Sequence, residues 1–136
     1  MITFSIITIT YNASQVLPAT LSSVMAQTCK DVEHIIIDGA SADDTVALAE
    51  AYRKKNLMED SLHRVIVVSE PDKGLYDAMN KGIAMATGDY VLFLNAGDTF
   101  PAPDTLEMVE AAVGDGEELP AVLYGDTDIV DADGNF

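Results

Sequence analysis

The chain has 136 residues and a mass of 14.5 kDa, with 49% hydrophobic residues and a mean hydropathy of +0.16. That is one domain with enough apolar material for a core, which excludes a disordered chain. Seven basic against 23 acidic residues give a net charge of −16 and a pI near 4.1, a field that repels nucleic acid and anionic lipid and rejects both as partners of this segment.

The same field repels phosphorylated ligands, so a phosphate site here needs a local cation, backbone N–H groups or a divalent metal. The single cysteine, Cys29, forms no internal disulfide and fits a reducing compartment. It reads as a small residue at a helix end. The N-terminus lacks the basic start and cleavage site of a signal peptide, and no apolar run approaches the roughly 20 residues that span a bilayer. A cytosolic location is expected.

Phe4–Ile9 is apolar and β-branched and ends in Thr10-Tyr11-Asn12, the pattern of a strand buried on both faces. Leu17, Leu21, Val24, Met25 and Thr28 recur at helical spacing, with Pro18 suited to the first turn. Val32–Asp38 predicts a second strand. Ser41 and Asp44 read as a capping box before a helix over Asp44–Lys55, which leaves Asp43 solvated. Arg64–Ser69 predicts a third strand, and Gly74–Thr87 a helix stopped by Gly88. On that helix Tyr76, Met79 and Ile83 form a stripe expected to face the core. Tyr90–Leu94 predicts a fourth strand ending in Asn95-Ala96-Gly97-Asp98, and Pro103-Asp104 opens a helix through Val113. An acidic loop, a strand near Ala121–Tyr124 and a hairpin from Ile129 to Phe136 follow. A chain stopping within a hairpin suggests truncation. His34 and His63 have no partner at metal spacing and read as structural or exposed residues.

Strands alternating with helices of this length imply right-handed crossovers and an α/β fold with a mostly parallel central sheet flanked by helices. In such sheets ligands bind beyond the carboxyl ends of the strands. The polar residues gather there, in four loops: Thr10-Tyr11-Asn12, Asp38–Ser41, Glu70–Gly74 and Asn95–Asp98. Asp77 and Asn80 form a second stripe beside the apolar one, which core packing alone does not require. Lys73 and Gly74, followed by free N–H groups at a helix start, read as a diphosphate cradle.

These segments resemble glycosyltransferase family 2, the inverting sugar-nucleotide transferases of A-type fold. The resemblance is carried by Ser5–Asn12, Leu21–Thr28, Ile36–Asp43, Glu70–Gly82 and Ala86–Asp98, in the family's order and across nearly the whole chain. The bacterial branch that builds exopolysaccharide, capsule or O-antigen is the nearest pattern. The resemblance implies a three-layer Rossmann-like fold, truncated at the C-terminus, in which residues 1–136 form the nucleotide-sugar-binding part.

It also implies roles for individual residues. Thr10, Tyr11 and Asn12 belong to the nucleotide site, with Thr10 and Tyr11 holding the base. Asp38 matches the carboxylate that accepts from a uracil-type ring edge. Asp72, Lys73 and Gly74 approach the ribose and diphosphate, with Asp77 and Asn80 lining the same pocket. Asn95–Asp98 occupies the place of the Asp-x-Asp metal motif, where Mg²⁺ or Mn²⁺ bridges the donor diphosphate.

Two departures matter. The metal motif keeps one carboxylate, Asp98, with Asn95 at its start, so the metal is weakly held or not required. The family's general base lies later than Asp126 and Asp128, so the catalytic base is not assigned within this chain. The expected function is transfer of a sugar from a nucleoside-diphosphate donor to a saccharide or lipid-linked acceptor, with peripheral membrane association through other parts and location at the inner membrane face. The alternative is a nucleotide-sugar-binding module without catalysis. A receiver-like signalling domain is disfavoured because Thr10-Tyr11-Asn12 stands where paired acids belong.

Overall fold

The computed structural model describes residues 2–59 and 62–113. Eight elements alternate: β1 (Phe4–Thr10), α1 (Leu17–Met25), β2 (Val32–Asp38), α2 (Thr45–Met58), β3 (Arg64–Ser69), α3 (Leu75–Met85), β4 (Tyr90–Phe93) and α4 (Thr105–Val113). The sheet order is β3-β2-β1-β4, and every pairing is parallel. The expected α/β architecture is therefore observed. The strand and hairpin expected after Val113, with Asp126 and Asp128, lie outside the described residues.

Parallel strands expose neither face to water, which explains the unbroken apolar runs. Ile35, Ile36 and Ile37 are all fully buried. One sheet face packs Ile36, Val65 and Val67 against Leu17 and Leu21 of α1 and Ala49 and Tyr52 of α2. Phe4, Ile6 and Val32 continue that layer to Val24 and to Leu106 of α4. The opposite face packs Ile7, Ile35 and Ile37 against Ala78 of α3. The layer change follows from topology. The chain steps from β1 to β2 to β3 in one direction, then returns past β1 to β4, and a right-handed crossover in the reverse direction must use the other face. The loops after β1 and β4 both lead to the layer of α1, where Leu106 of α4 packs beside Val24, and among the described elements only α3 covers the other face.

Three local expectations are corrected. The core-facing side of α3 is not the Tyr76–Met79–Ile83 stripe, since Tyr76 is 79% and Ile83 48% exposed. Ala78 and Gly82 face the sheet instead. A Cβ at Gly82 would lie 2.6 Å from Ile7 Cγ2, so the helix sits too close for any larger side chain. Ser41 and Asp44 form no capping box, because Asp44 at the N-cap makes no side-chain cap bond. Asp43 does that work instead: Oδ1 accepts from the Thr45 N–H at 3.0 Å and from the Thr45 hydroxyl, and Oδ2 from the Ser14 N–H at 3.1 Å. Asp43 is exposed, as expected, but not idle: it ties the β1–α1 loop to the start of α2, and the Thr45 hydroxyl bond leads the effects that hold its pKa down at about 2. Helix α1 also ends at Met25, short of Thr28, and Gln27 turns inward to accept from Leu106 N–H and donate to Ala102 O.

His34 is structural, as expected, and fully buried. Its ring bridges Thr8 Oγ1 and Tyr52 Oη, each at 2.7 Å. Burial, with a smaller push from His63, holds its pKa down at about 3. An unfolded His titrates near 6.5. Between these values the unfolded state binds the extra proton, so the stability His34 contributes is full above about pH 6.5 and is lost as pH falls towards 3. Urea unfolding at pH 7 and pH 5, above the range where most carboxylates protonate, should differ by about 2 kcal/mol, at about 1.4 kcal/mol per unit. Equal stability at both values would refute the neutral buried imidazole.

Candidate functional site at the carboxyl edge of the sheet

The site begins with register. Thr10 pairs with Asp38, and Asp38 with Ser69, so three neighbouring strands end in polar side chains on one row. Successive side chains alternate faces, and these three share the face of Ile36. Asp38 is 1% exposed. Its Oδ1 accepts from Thr10 Oγ1 at 2.7 Å and Ser41 Oγ at 2.6 Å. Its Oδ2 accepts from Ser41 N–H at 2.9 Å and Ser69 Oγ at 2.8 Å. Burial alone would push the carboxyl up, but the Ser41 hydroxyl and N–H, with Thr10 and Ser69, outweigh it and hold the pKa below its ordinary value.

The network continues through Ser41, whose hydroxyl accepts from Asn12 N–H at 2.8 Å, while Asn12 Oδ1 accepts from Ala42 N–H at 2.8 Å. Asn12 and Ala40 both carry positive φ, 47° and 60°, a conformation that costs a non-glycine residue about 1–2 kcal/mol and persists where surrounding bonds enforce it. Tyr11, between these anchors, is 67% exposed. The structure thus gathers Thr10, Asn12 and Asp38 into one cage and leaves the Tyr11 ring open to solvent.

A second group surrounds the start of α3. Lys73 N–H donates to Asp77 Oδ2 at 2.9 Å, and Gly74 N–H to Asp72 Oδ1 at 3.2 Å. The N–H groups of Lys73 and Gly74 are therefore taken by carboxylates, which the positive end of the helix attracts, whereas those that follow, at Leu75 and Tyr76, open α3 itself. The Lys73 N–H bond leads the effects that lower the pKa of Asp77, against some desolvation and with help from Lys81. Lys81 Nζ lies 3.2 Å from both Glu70 Oε1 and Pro71 O, and 3.6 Å from Asp77 Oδ2. It anchors the helix to the β3–α3 loop. The side chains of Lys73 and Asn80 remain exposed, as does that of Asn95.

The third group is the turn after β4. Asp98 N–H donates to Asn95 O at 2.9 Å, and Gly97, at φ 102°, donates to Thr20 Oγ1 at 2.8 Å, docking the turn on α1. Asp98 is exposed. Among the described residues no three His, Cys, Asp or Glu side chains are grouped to hold a metal. The donor set fits a divalent ion only as one carboxylate supplementing phosphate oxygens and water, a mode open to Mg²⁺.

Sequence reasoning missed Ser69, Lys81 and Thr20. Lys81 carried a legible signal, its i+4 spacing from Asp77. Ser69 and Thr20 act through strand register and helix docking, which only the fold supplies.

A parallel α/β sheet with polar loops gathered at its carboxyl edge defines the class, and comparison with known proteins supplies the family. Residues 5–131 match the model of glycosyl transferase family 2. The chain belongs to that family. It is 45% identical over 123 residues to a PGL/p-HBAD biosynthesis glycosyltransferase of Mycobacterium bovis, covering 90% of this chain and 46% of that protein. It is 34% identical to the amylovoran biosynthesis glycosyltransferase AmsB of Erwinia amylovora, covering 99% of this chain and 44% of that protein. The chain thus spans less than half the length of these relatives.

Among solved structures, the mannosyltransferase PcManGT of Pyrobaculum calidifontis, in complex with GDP-Man and Mn²⁺, superposes with a TM-score of 0.69 at 26% identity, over 76% of this chain and 30% of that one. TarS of S. aureus in complex with UDP-GlcNAc gives 0.68 at 27% identity, over 82% and 30%. The A-type transferase fold expected from the sequence is observed. Among the described residues no helix is long and apolar enough to cross a membrane.

The Asp38 cage sets a stability prediction. Asp38→Asn keeps the shape but turns an N–H₂ towards hydroxyls and an N–H that had been donating. We expect a loss of about 1–3 kcal/mol, the cost of buried groups left unpaired. In urea this should appear as a lower midpoint with an unchanged slope. An unaltered midpoint would mean that the four bonds do not hold the edge together.

Proposed function

We propose that residues 1–136 form the donor-binding part of an inverting glycosyltransferase, which takes its sugar from a nucleoside diphosphate. The observation that carries this reading is the edge itself: loops after all four strands meet there, three of them in or bonded to the Asp38 cage or beside it, with the Tyr11 ring, Lys73 and Asp98 left exposed. The family, and the nucleotide sugars in the GDP-Man and UDP-GlcNAc complexes of its structural neighbours, support it.

On this reading Thr10, Tyr11, Asn12 and Asp38 build the nucleoside end, Lys73, Gly74, Asp77, Asn80 and Asn95 the ribose and diphosphate side, and Asp72, against Gly39, stands where the two meet. Lys73 supplies a mobile positive charge, and a divalent ion would be held by Asp98. When bound, that ion stabilises charge developing on the departing diphosphate. The acceptor oxygen bonds to the anomeric carbon as the sugar–diphosphate bond breaks, and its proton passes to a base outside the described residues. The acceptor on this reading is a saccharide or lipid-linked sugar, in cell-surface polysaccharide or glycolipid biosynthesis at the inner face of the membrane; relatives named for PGL/p-HBAD and amylovoran biosynthesis support the biosynthetic part of it. The lone carboxylate at Asp98 favours a second reading, a nucleotide-sugar-binding module without catalysis.

Thermal-shift measurements with UDP-, dTDP- and GDP-sugars, with and without Mn²⁺, test the donor reading. A matching donor at about 100 times its Kd stabilises by about 2.7 kcal/mol. Mn²⁺ should enlarge the shift in the parent chain and add nothing in Asp98→Ala. No shift with any sugar nucleotide would remove the donor reading, and an equal Mn²⁺ effect in Asp98→Ala would remove the metal role.

A further inference from the structure

Asp38 cannot both hold the edge and read a ligand. An ionised carboxylate offers about four lone-pair positions, and four protein donors already occupy those of Asp38, which is 1% exposed. A nucleobase would have to evict one of its own supports.

A different carboxylate lies just above. The residue after Asp38 is glycine, and a Cβ built on Gly39 would meet Asp72 Oδ2 at 2.8 Å, Cγ at 3.3 Å and Oδ1 at 3.5 Å. The Asp72 carboxylate therefore rests over the bare backbone of the β2–α2 loop, in space that any side chain at position 39 would contest. Its Oδ1 is engaged by Gly74 N–H at 3.2 Å. Its Oδ2 has no hydrogen-bond donor among the described residues, and the side chain is only partly buried. One fixed oxygen and one open oxygen, at the ends of β2 and β3, make a monodentate acceptor beside the strand end that carries the exposed Tyr11.

We propose that Asp72, seated on Gly39, is the group that reads the nucleobase, while Asp38 is a positioning residue that never touches it. This rests on the reading of the edge as a nucleotide site. An acceptor-only oxygen demands a donor. The keto bases present a ring imino N–H on their pairing edge: N3–H in uracil and thymine, N1–H in guanine. Adenine and cytosine carry an amino donor on that edge, but the ring nitrogen beside it presents a lone pair, which the carboxylate repels, so they bind it less well. The Asp72–Gly39 pair thus selects keto bases as a class, and it does so through two residues from different loops.

Calorimetric titration of UDP, GDP, ADP and CDP into the full chain tests this, using the parent, Asp72→Ala and Gly39→Ala, with melting curves to verify folding. The parent should bind UDP or GDP at least about tenfold more tightly than ADP and CDP, a gap of about 1.4 kcal/mol. The UDP and GDP arms identify which keto base is taken. Asp72→Ala should abolish the preference by weakening the keto nucleotide about tenfold, with ADP and CDP changed less than about twofold. Gly39→Ala, which keeps Asp72 but displaces it, should act in the same direction. A preference that survives in Asp72→Ala overturns the proposal, as does a parent that binds all four nucleotides equally, though nucleotide binding itself would then stand. A parent that binds none of the four overturns the nucleotide reading and this inference with it.

Discussion

The carboxyl edge depends on a charge kept away from water, the Asp38 carboxylate, and on the four donors that surround it. Burying an unpaired carboxylate is costly, so the fold is constrained to bring partners to it. Those partners come from the ends of β1 and β3 and from the β2–α2 loop, and satisfying Asp38 fixes the mutual position of all three. Ser41 passes the constraint to Asn12, and Asp43 repeats it one turn later by joining Ser14 to Thr45. The loops that would face a ligand are thus held by carboxylates, one of them, Asp38, buried. Four of the 23 acidic residues, Asp38, Asp43, Asp72 and Asp77, serve as scaffolding at this edge.

The same accounting redistributes the work of binding an anion. At α3 the helix N-terminus attracts Asp72 and Asp77, whose oxygens take the N–H groups of Gly74 and Lys73. Lys81 is balanced by Glu70 and Asp77. On the proposed reading, attraction for a diphosphate then rests on the exposed Lys73 side chain, on an ion supported by Asp98 and on the first N–H groups of α3 itself, not on those of Lys73 and Gly74. The chain spans less than half of its relatives, so further contacts from the rest of the domain fit this picture.

Much of this was legible in the sequence, and the errors have a common form. Strands buried on both faces announce themselves as β-branched runs, and the polar strand ends expected at one edge of the sheet are found there. Hydrophobicity does not mark the buried face of α3. Close helix–sheet approach buries Ala78 and Gly82 and leaves Tyr76 outside. Ser41, Asp43 and Asp44 were misassigned because any of them could cap a helix. Which one does so depends on Asp38 claiming Ser41 first, a contact decided by the fold. Likewise the bonds of Asp38 to Thr10 and Ser69 are a matter of strand register, which its motif does not carry.

The central claim is that a nucleotide binds at the carboxyl edge organised by Asp38. The most direct measurement is a two-dimensional ¹H–¹⁵N NMR titration of the chain with UDP and with GDP. The account predicts that one of them shifts amides of Tyr11, Asn12, Gly39–Ala42, Asp72–Gly74 and Asn95–Asp98 as one group. The amides of Ala26–Asp31 and His63 at the opposite edge should stay fixed. Shifts centred on that opposite edge, or scattered without focus, would contradict it.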